Sequence, residues 1–125
     1  NQFALGEALE RAGRKDEAAR AFAEFEQKAL LESGITDNAN HEFIAYYVDH
    51  AHQPAKALEL ARQELVRRHD AFTLDAYAWS LAATGDYVQA NAEMQKAVAF
   101  GVRDPKVLSH GVEITRHLSQ MAVVR

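Results

Sequence analysis

Leu5-Gly6-x-x-Leu9-x-x-x-Gly13-x-x-x-x-Ala18-x-x-x-Phe22 stands near the start of the 125-residue chain, and a later stretch answers it. That stretch is Tyr77-Ala78-x-x-Leu81-x-x-x-Gly85-x-x-x-x-Ala90-x-x-x-Met94. A fainter copy, Ile44-Ala45-x-x-Val48-x-x-x-His52-x-x-x-x-Ala57-x-x-x-Ala61, lies between them. Ala18, Ala57 and Ala90 stand 39 and 33 residues apart. A spacing in the low thirties marks stacked helical units, each burying its apolar face only against its neighbours. A fourth, partial copy, His110-Gly111-x-x-Ile114, falls 33 residues after Ala78.

The residues carrying this pattern resemble the tetratricopeptide repeat over nearly the whole chain. The resemblance implies small residues where the two helices of a unit cross: Gly6/Ala18, Ala45/Ala57 and Ala78/Ala90. Small side chains let helix axes approach to about 8–10 Å and interlock, which supports the same assignment. Leu5, Leu9 and Phe22, then Ile44 and Val48, then Tyr77, Leu81 and Met94 are expected to fill the gaps between helices. The second unit departs from the family: His52 replaces the turn glycine, Ala61 an aromatic residue, and Glu64 a usually small one. The expected fold is all-α, a right-handed α-solenoid of antiparallel helix pairs. It comprises three units (about 1–34, 38–70 and 71–103) and one extra helix (104–119) in a single domain.

Seven helices are read along the chain. Gln2 to Ala12 ends at Gly13, a residue suited to the left-handed stop, and Asp16 to Leu31 ends at Ser33-Gly34. Asn38 to Ala51 is followed by a helix from Pro54, a favourable first-turn position, to His69. Asp70 and Asp86 cap the fifth and sixth helices, which stop before Gly85 and Gly101. Asp104-Pro105 opens the seventh, expected to run to about Ser119. The segment Glu32 to Asp37 absorbs the extra spacing after the first unit, as a bland spacer or a decorated loop on a binding face.

Composition excludes several functions. A net charge of −4 lacks the basic face of a general nucleic-acid binder. No cysteine is present, so disulfide and thiol chemistry are absent. No apolar run reaches the ~20 residues of a membrane span, and no signal peptide is read. Six histidines include His50-x-His52, His41, His110 and His117, but no metal-ligand spacing such as His-Glu-x-x-His. No nucleophile elbow or phosphate-cradling glycine loop occurs. Catalytic residues, metal and cofactor are therefore expected to be none.

In tetratricopeptide arrays the first helix of each unit lines an inner groove for a partner peptide or helix. Counting back from Gly13, His52, Gly85 and Leu118, the resemblance implies groove columns containing Glu7, Tyr46, Trp79 and Val112, then Phe3, Glu42, Asp75 and Leu108. Further columns add Glu10, Asp49, Ala82 and Thr115, then Arg11, His50, Ala83 and Arg116. Tyr46 and Trp79 are expected side by side as an aromatic anchor, with Trp79 also readable as core against the next helix. Glu7, Glu10, Glu42, Asp49 and Asp75 make the groove acidic, opposed by Arg11, Arg116 and His50. The chaperone-carboxylate clamp of some family members is not supported, since its positions hold Phe3, Glu7, Phe43, Phe72 and Ala76.

The expected function is a non-catalytic protein-interaction module. Its partner is another protein or peptide, with basic residues around an apolar anchor. The alternatives are a structural spacer or oligomerisation segment, or an accessory domain of an enzyme. Both ends of the repeat pattern break off mid-unit, which reads as a slice of a longer array. The apolar face of the last helix is then covered by further repeats or by homo-oligomerisation.

Overall fold

A computed structural model describes residues 1–34 and 39–124. Its seven helices are α1 (Gln2–Arg11), α2 (Lys15–Glu32), α3 (Asn40–Asp49), α4 (Pro54–Arg67), α5 (Ala71–Ala83), α6 (Tyr87–Ala99) and α7 (Pro105–Val124). No strand occurs among the described residues. Consecutive helices pack on one another, and α3–α5 and α5–α7 also touch. The result is a helical-repeat-like array: α1, α3, α5 and α7 form one layer, backed by α2, α4 and α6. Helix α5 is the centre, with ten of its 13 residues buried. That explains why its sequence is apolar on all sides rather than along one stripe.

Local chemistry sets the helix ends. Asp70 accepts from the Thr73 N–H at 2.8 Å, Asp86 from Gln89 N–H at 3.2 Å, and Asp104 from Lys106 N–H at 2.9 Å. Burial alone would raise the Asp70 pKa. The Thr73 N–H and hydroxyl, with His41 and Arg68 nearby, outweigh it and hold the carboxyl below its ordinary range. Gly13, His52 and Gly85 close the three intra-unit turns with φ of 79°, 53° and 92°. His52 thus does take the turn position that glycine holds in the other units, at a steric cost that glycine avoids. Helix α2 has 18 residues against 14 and 13 for α4 and α6, so it takes up part of the longer first spacing. The rest of the expected spacer, and the start of the second unit at 38, fall partly on residues 35–38, outside the described residues.

The turns also reveal a slip in the middle unit. The residue after the left-handed position donates back to Leu9 in the first turn (Arg14 N–H, 2.9 Å) and to Leu81 in the third (Asp86 N–H, 2.9 Å). In the second, Gln53 N–H reaches Tyr47 at 2.8 Å, one residue farther back than the other two turns. Tyr47 therefore holds the place of Leu9 and Leu81, and every upstream residue of α3 is displaced by one. Ile44, rather than Ala45, matches Gly6 and Ala78; it is fully buried, while Ala45 is only partly so. At the α1–α2 crossing a Cβ on Gly6 would lie 2.5 Å from the Phe22 ring, so no side chain fits there.

Two further expectations are corrected. Leu5 does not fill a gap between helices but is 48% exposed, because α1 has neighbours on one side only. Helix α7 does not stop near Ser119: Leu118 stands where a turn glycine would end it, and the helix continues to Val124.

Glu64 departs from the repeat pattern for a reason visible in the packing. It is 1% exposed on α4, and its Oε1 accepts from Asn40 Nδ2 at 2.6 Å. Arg67 and Arg68 approach its carboxylate at 3.5 and 3.4 Å. Asn40 Nδ2 also donates to the Ser33 carbonyl, and Arg67 Nη2 to that of Gly34. A polar knot thus fastens the end of α2 and the start of α3 onto α4.

Candidate functional site

Three neighbouring helices of the first layer shape the site. Asp75, Ala76, Trp79, Ala82 and Ala83 recur at helical spacing along α5 and form its floor. Helices α3 and α7 stand on either side. Two clefts of about 200 and 360 Å³ open along this floor, and Trp79 lines both. The first adds Glu42, Phe72, Asp104 and Lys106, and the second Asp49, Tyr87, Glu113 and Arg116.

Trp79 is fixed from both sides. Its Nε1–H donates to Asp49 Oδ1 on α3 at 2.9 Å. Its ring stacks on His110 of α7, with centroids 4.0 Å apart and planes 11° from parallel. His110 Nδ1–H in turn donates to Asp75 Oδ1 at 2.8 Å, since a carboxylate only accepts. Trp79 is thus both a wall of the groove and a pillar between units. A parallel link joins His41 of α3 to Thr73 of α5 at 2.9 Å.

The expected acidic residues keep their charge uncompensated by lysine or arginine. Asp49 accepts from Trp79, Asp75 from His110, and Glu42 from Asn1 Nδ2 at 3.2 Å. Glu7 holds His50 Nε2 at 3.1 Å, while Glu10 lies 2.8 Å from its Nδ1 outside the direction of a hydrogen bond. Among the described residues none of these five carboxylates pairs with a lysine or arginine. Arg116, expected to oppose them, is held by Glu113 on its own helix.

The sequence-derived site divides into separate places. Glu42, Asp49, Asp75, Trp79 and Arg116 line the two clefts over α5. Tyr46 is not beside Trp79: the slip in α3 turns it toward α2, where its ring packs 5.4 Å from Phe22 and 6.0 Å from Phe25. It shares a different cleft, of about 350 Å³, with Glu10 and His50. Glu7 is tied to this second place through His50, and Arg11 is exposed beyond it. Val112 faces away from Trp79, on the side of α7 that meets α6. Phe72, Asp104, Lys106 and His110 line the first cleft and were not among the expected groove columns. Phe72 and Asp104 stand at helix starts, where column counting has no reach, and only the Trp79 stack reveals His110.

Tyr46 and Tyr47 both donate to Glu26 of α2, at 3.4 and 3.2 Å. Burial, then the Glu26 charge and this hydrogen bond, push Tyr47 up to about 12 and raise Tyr46 as well. A folded pKa above the ordinary value of 10.0 stabilises fully below pH 10 and is lost as pH rises through about 12. Ultraviolet titration should show two phenols ionising late, with the urea midpoint falling across that window. A titration curve unchanged in Glu26→Gln would contradict the part assigned to Glu26.

Among the described residues no group of three or more His, Asp or Glu converges as metal ligands, and no helix is long and apolar enough to cross a membrane. Comparison of the chain with family models, with curated proteins and with solved structures gave no match.

Proposed function

We propose that the chain is a tetratricopeptide-type, right-handed α-solenoid acting as a non-catalytic protein-interaction module. Its ligand is a peptide or helix of another protein, with lysine or arginine flanking an apolar side chain. The observation that supports this most is the Trp79 pillar, set between two clefts in which, among the described residues, Glu42, Asp49, Asp75 and Asp104 have no lysine or arginine partner. Phe72, 46% exposed at the rim, offers an apolar contact at little conformational cost. Glu42, Asp75 and Asp104 face Lys106 alone among fixed charges in that cleft, so its field attracts cations. The net charge of −4 disfavours nucleic acid as the ligand.

Trp79 is the only tryptophan, so its fluorescence reports directly on the groove. Basic peptides with a central aromatic residue should shift that emission, acidic ones should not, and added salt should weaken the effect. Phe72→Ala should lower affinity about tenfold and Glu42→Gln about threefold, with thermal stability nearly unchanged. Equal response to acidic and basic peptides would remove the electrostatic basis. No response to any peptide would favour the spacer reading.

A further inference from the structure

The floor of the groove has the spacing of a helix seam. Phe72, Asp75, Trp79 and Ala82 follow one another along α5 at steps of three, four and three residues. That alternation is how one helix receives another along its length. Ala76, Ala82 and Ala83 keep the floor low on either side of the Trp79 ring, which Asp49 of α3 and His110 of α7 hold in place. At about 200 and 360 Å³ the two clefts lie at or below the lower end of small-molecule pockets, about 300–1,000 Å³. Each therefore admits side chains, while the backbone that carries them stays above the groove. Of the fixed charges lining the first cleft, Glu42, Asp75 and Asp104 outnumber Lys106. In the second, Asp49 and Glu113 outnumber Arg116, which Glu113 already holds. Both clefts thus favour a cation, with an apolar contact over Trp79 between them.

The distance between the clefts selects the ligand's conformation. Asp75 lies under the first and Ala82 under the second, seven residues apart on α5, which is two helical turns or about 10 Å. On an extended peptide the side chains of one face recur about every 7 Å, so the next one falls short and the one after overshoots at about 13 Å. A polyproline helix repeats at about 9 Å per turn but places nothing on that face in between, where Trp79 stands. An α-helix meets all three points. Its residues i and i+7 share one face about 10 Å apart, and i+3 or i+4 falls midway between them.

We infer that the groove takes a partner helix lying along α5, with lysine or arginine at i and i+7 and a large apolar residue at i+3 or i+4 over Trp79. This rests on the groove being a site for basic peptides and fixes the conformation and register of the ligand within it. The probe is an alanine-based peptide of about 16 residues, locked helical by a lactam bridge on its far face, with two lysines seven apart and leucine midway. It should shift the Trp79 emission of the chain. Moving one lysine two places, to the opposite side of the helix, should weaken binding about threefold. Replacing the bridge by a central proline should weaken it at least about tenfold. The loss caused by Glu42→Gln should vanish when the lysine over the first cleft is replaced by alanine, and persist when the other one is. The inference is overturned if moving the lysine changes nothing, or if Glu42→Gln weakens every peptide alike. It is overturned as well if the proline peptide, or a proline-rich one with lysines three apart, binds as tightly as the locked helix. In each of those cases the groove still binds basic peptides. No response to any of these peptides overturns the inference together with the site it rests on.

Discussion

Glu64→Ala should destabilise the fold by about 3 kcal/mol, lowering the melting temperature on the order of 10 °C. The side chain is 1% exposed and accepts from Asn40 at 2.6 Å, with Arg67 and Arg68 beside it. Removing it takes away the shared acceptor of a buried amide and two guanidinium groups and leaves a cavity behind. The two arginine side chains retain access to water, at 31% exposure each, which keeps the loss at the lower end of the range for a broken buried pair. Glu64→Gln preserves an oxygen for Asn40 and should cost about 1–2 kcal/mol. Urea denaturation of the two variants separates acceptor from charge. If Glu64→Ala stays within about 0.5 kcal/mol of the parent, the range of neutral surface changes, the polar knot does not hold α2, α3 and α4 together.

Trp79→Ala should cost about 3 kcal/mol, because the indole supports both neighbours of α5. It removes the stack on His110 and the hydrogen bond to Asp49, and joins two clefts into one hollow. Trp79→Phe keeps an aromatic surface for His110 but loses the N–H, and should cost about 1 kcal/mol. The difference between the variants measures how much of the pillar is ring and how much is hydrogen bond. A Trp79→Ala protein as stable as the parent would make the residue a groove decoration with no structural part. Because the substitution disturbs the stack, loss of ligand in Trp79→Ala says little by itself. Phe72 and Glu42 are the cleaner probes of binding.

Helix number, order and most boundaries were legible because they rest on local signals. Asp70, Asp86 and Asp104 cap their helices as read, and Gly13, Gly85 and Gly101 stop theirs with positive φ. His52 was read as a glycine substitute from its place in the copies, and its φ of 53° agrees. The acidic set was legible only in part: Glu42, Asp49 and Asp75 line the clefts over α5, whereas Glu7 and Glu10 meet His50 at another cleft. Orientation was not legible. One extra residue ahead of His52 rotates α3 by about 100°, since a helix has 3.6 residues per turn, and so carries Tyr46 to Phe22 and Phe25.

The repeated small and large residues from Leu5 to Met94, with the partial copy from His110 to Ile114, determined by themselves that the chain is a row of seven helices packed in sequence. Caps, turns and periodicity act within a few residues, so the string of letters contains them. Only the tertiary structure decided which carboxylate meets which donor, that Glu64 is a knot rather than a blemish, and that Trp79 leans on His110. Those pairings join residues 24 to 35 positions apart, and they depend on the angle at which each helix lands on the next. A single added residue in one turn changes that angle without leaving a mark in the pattern.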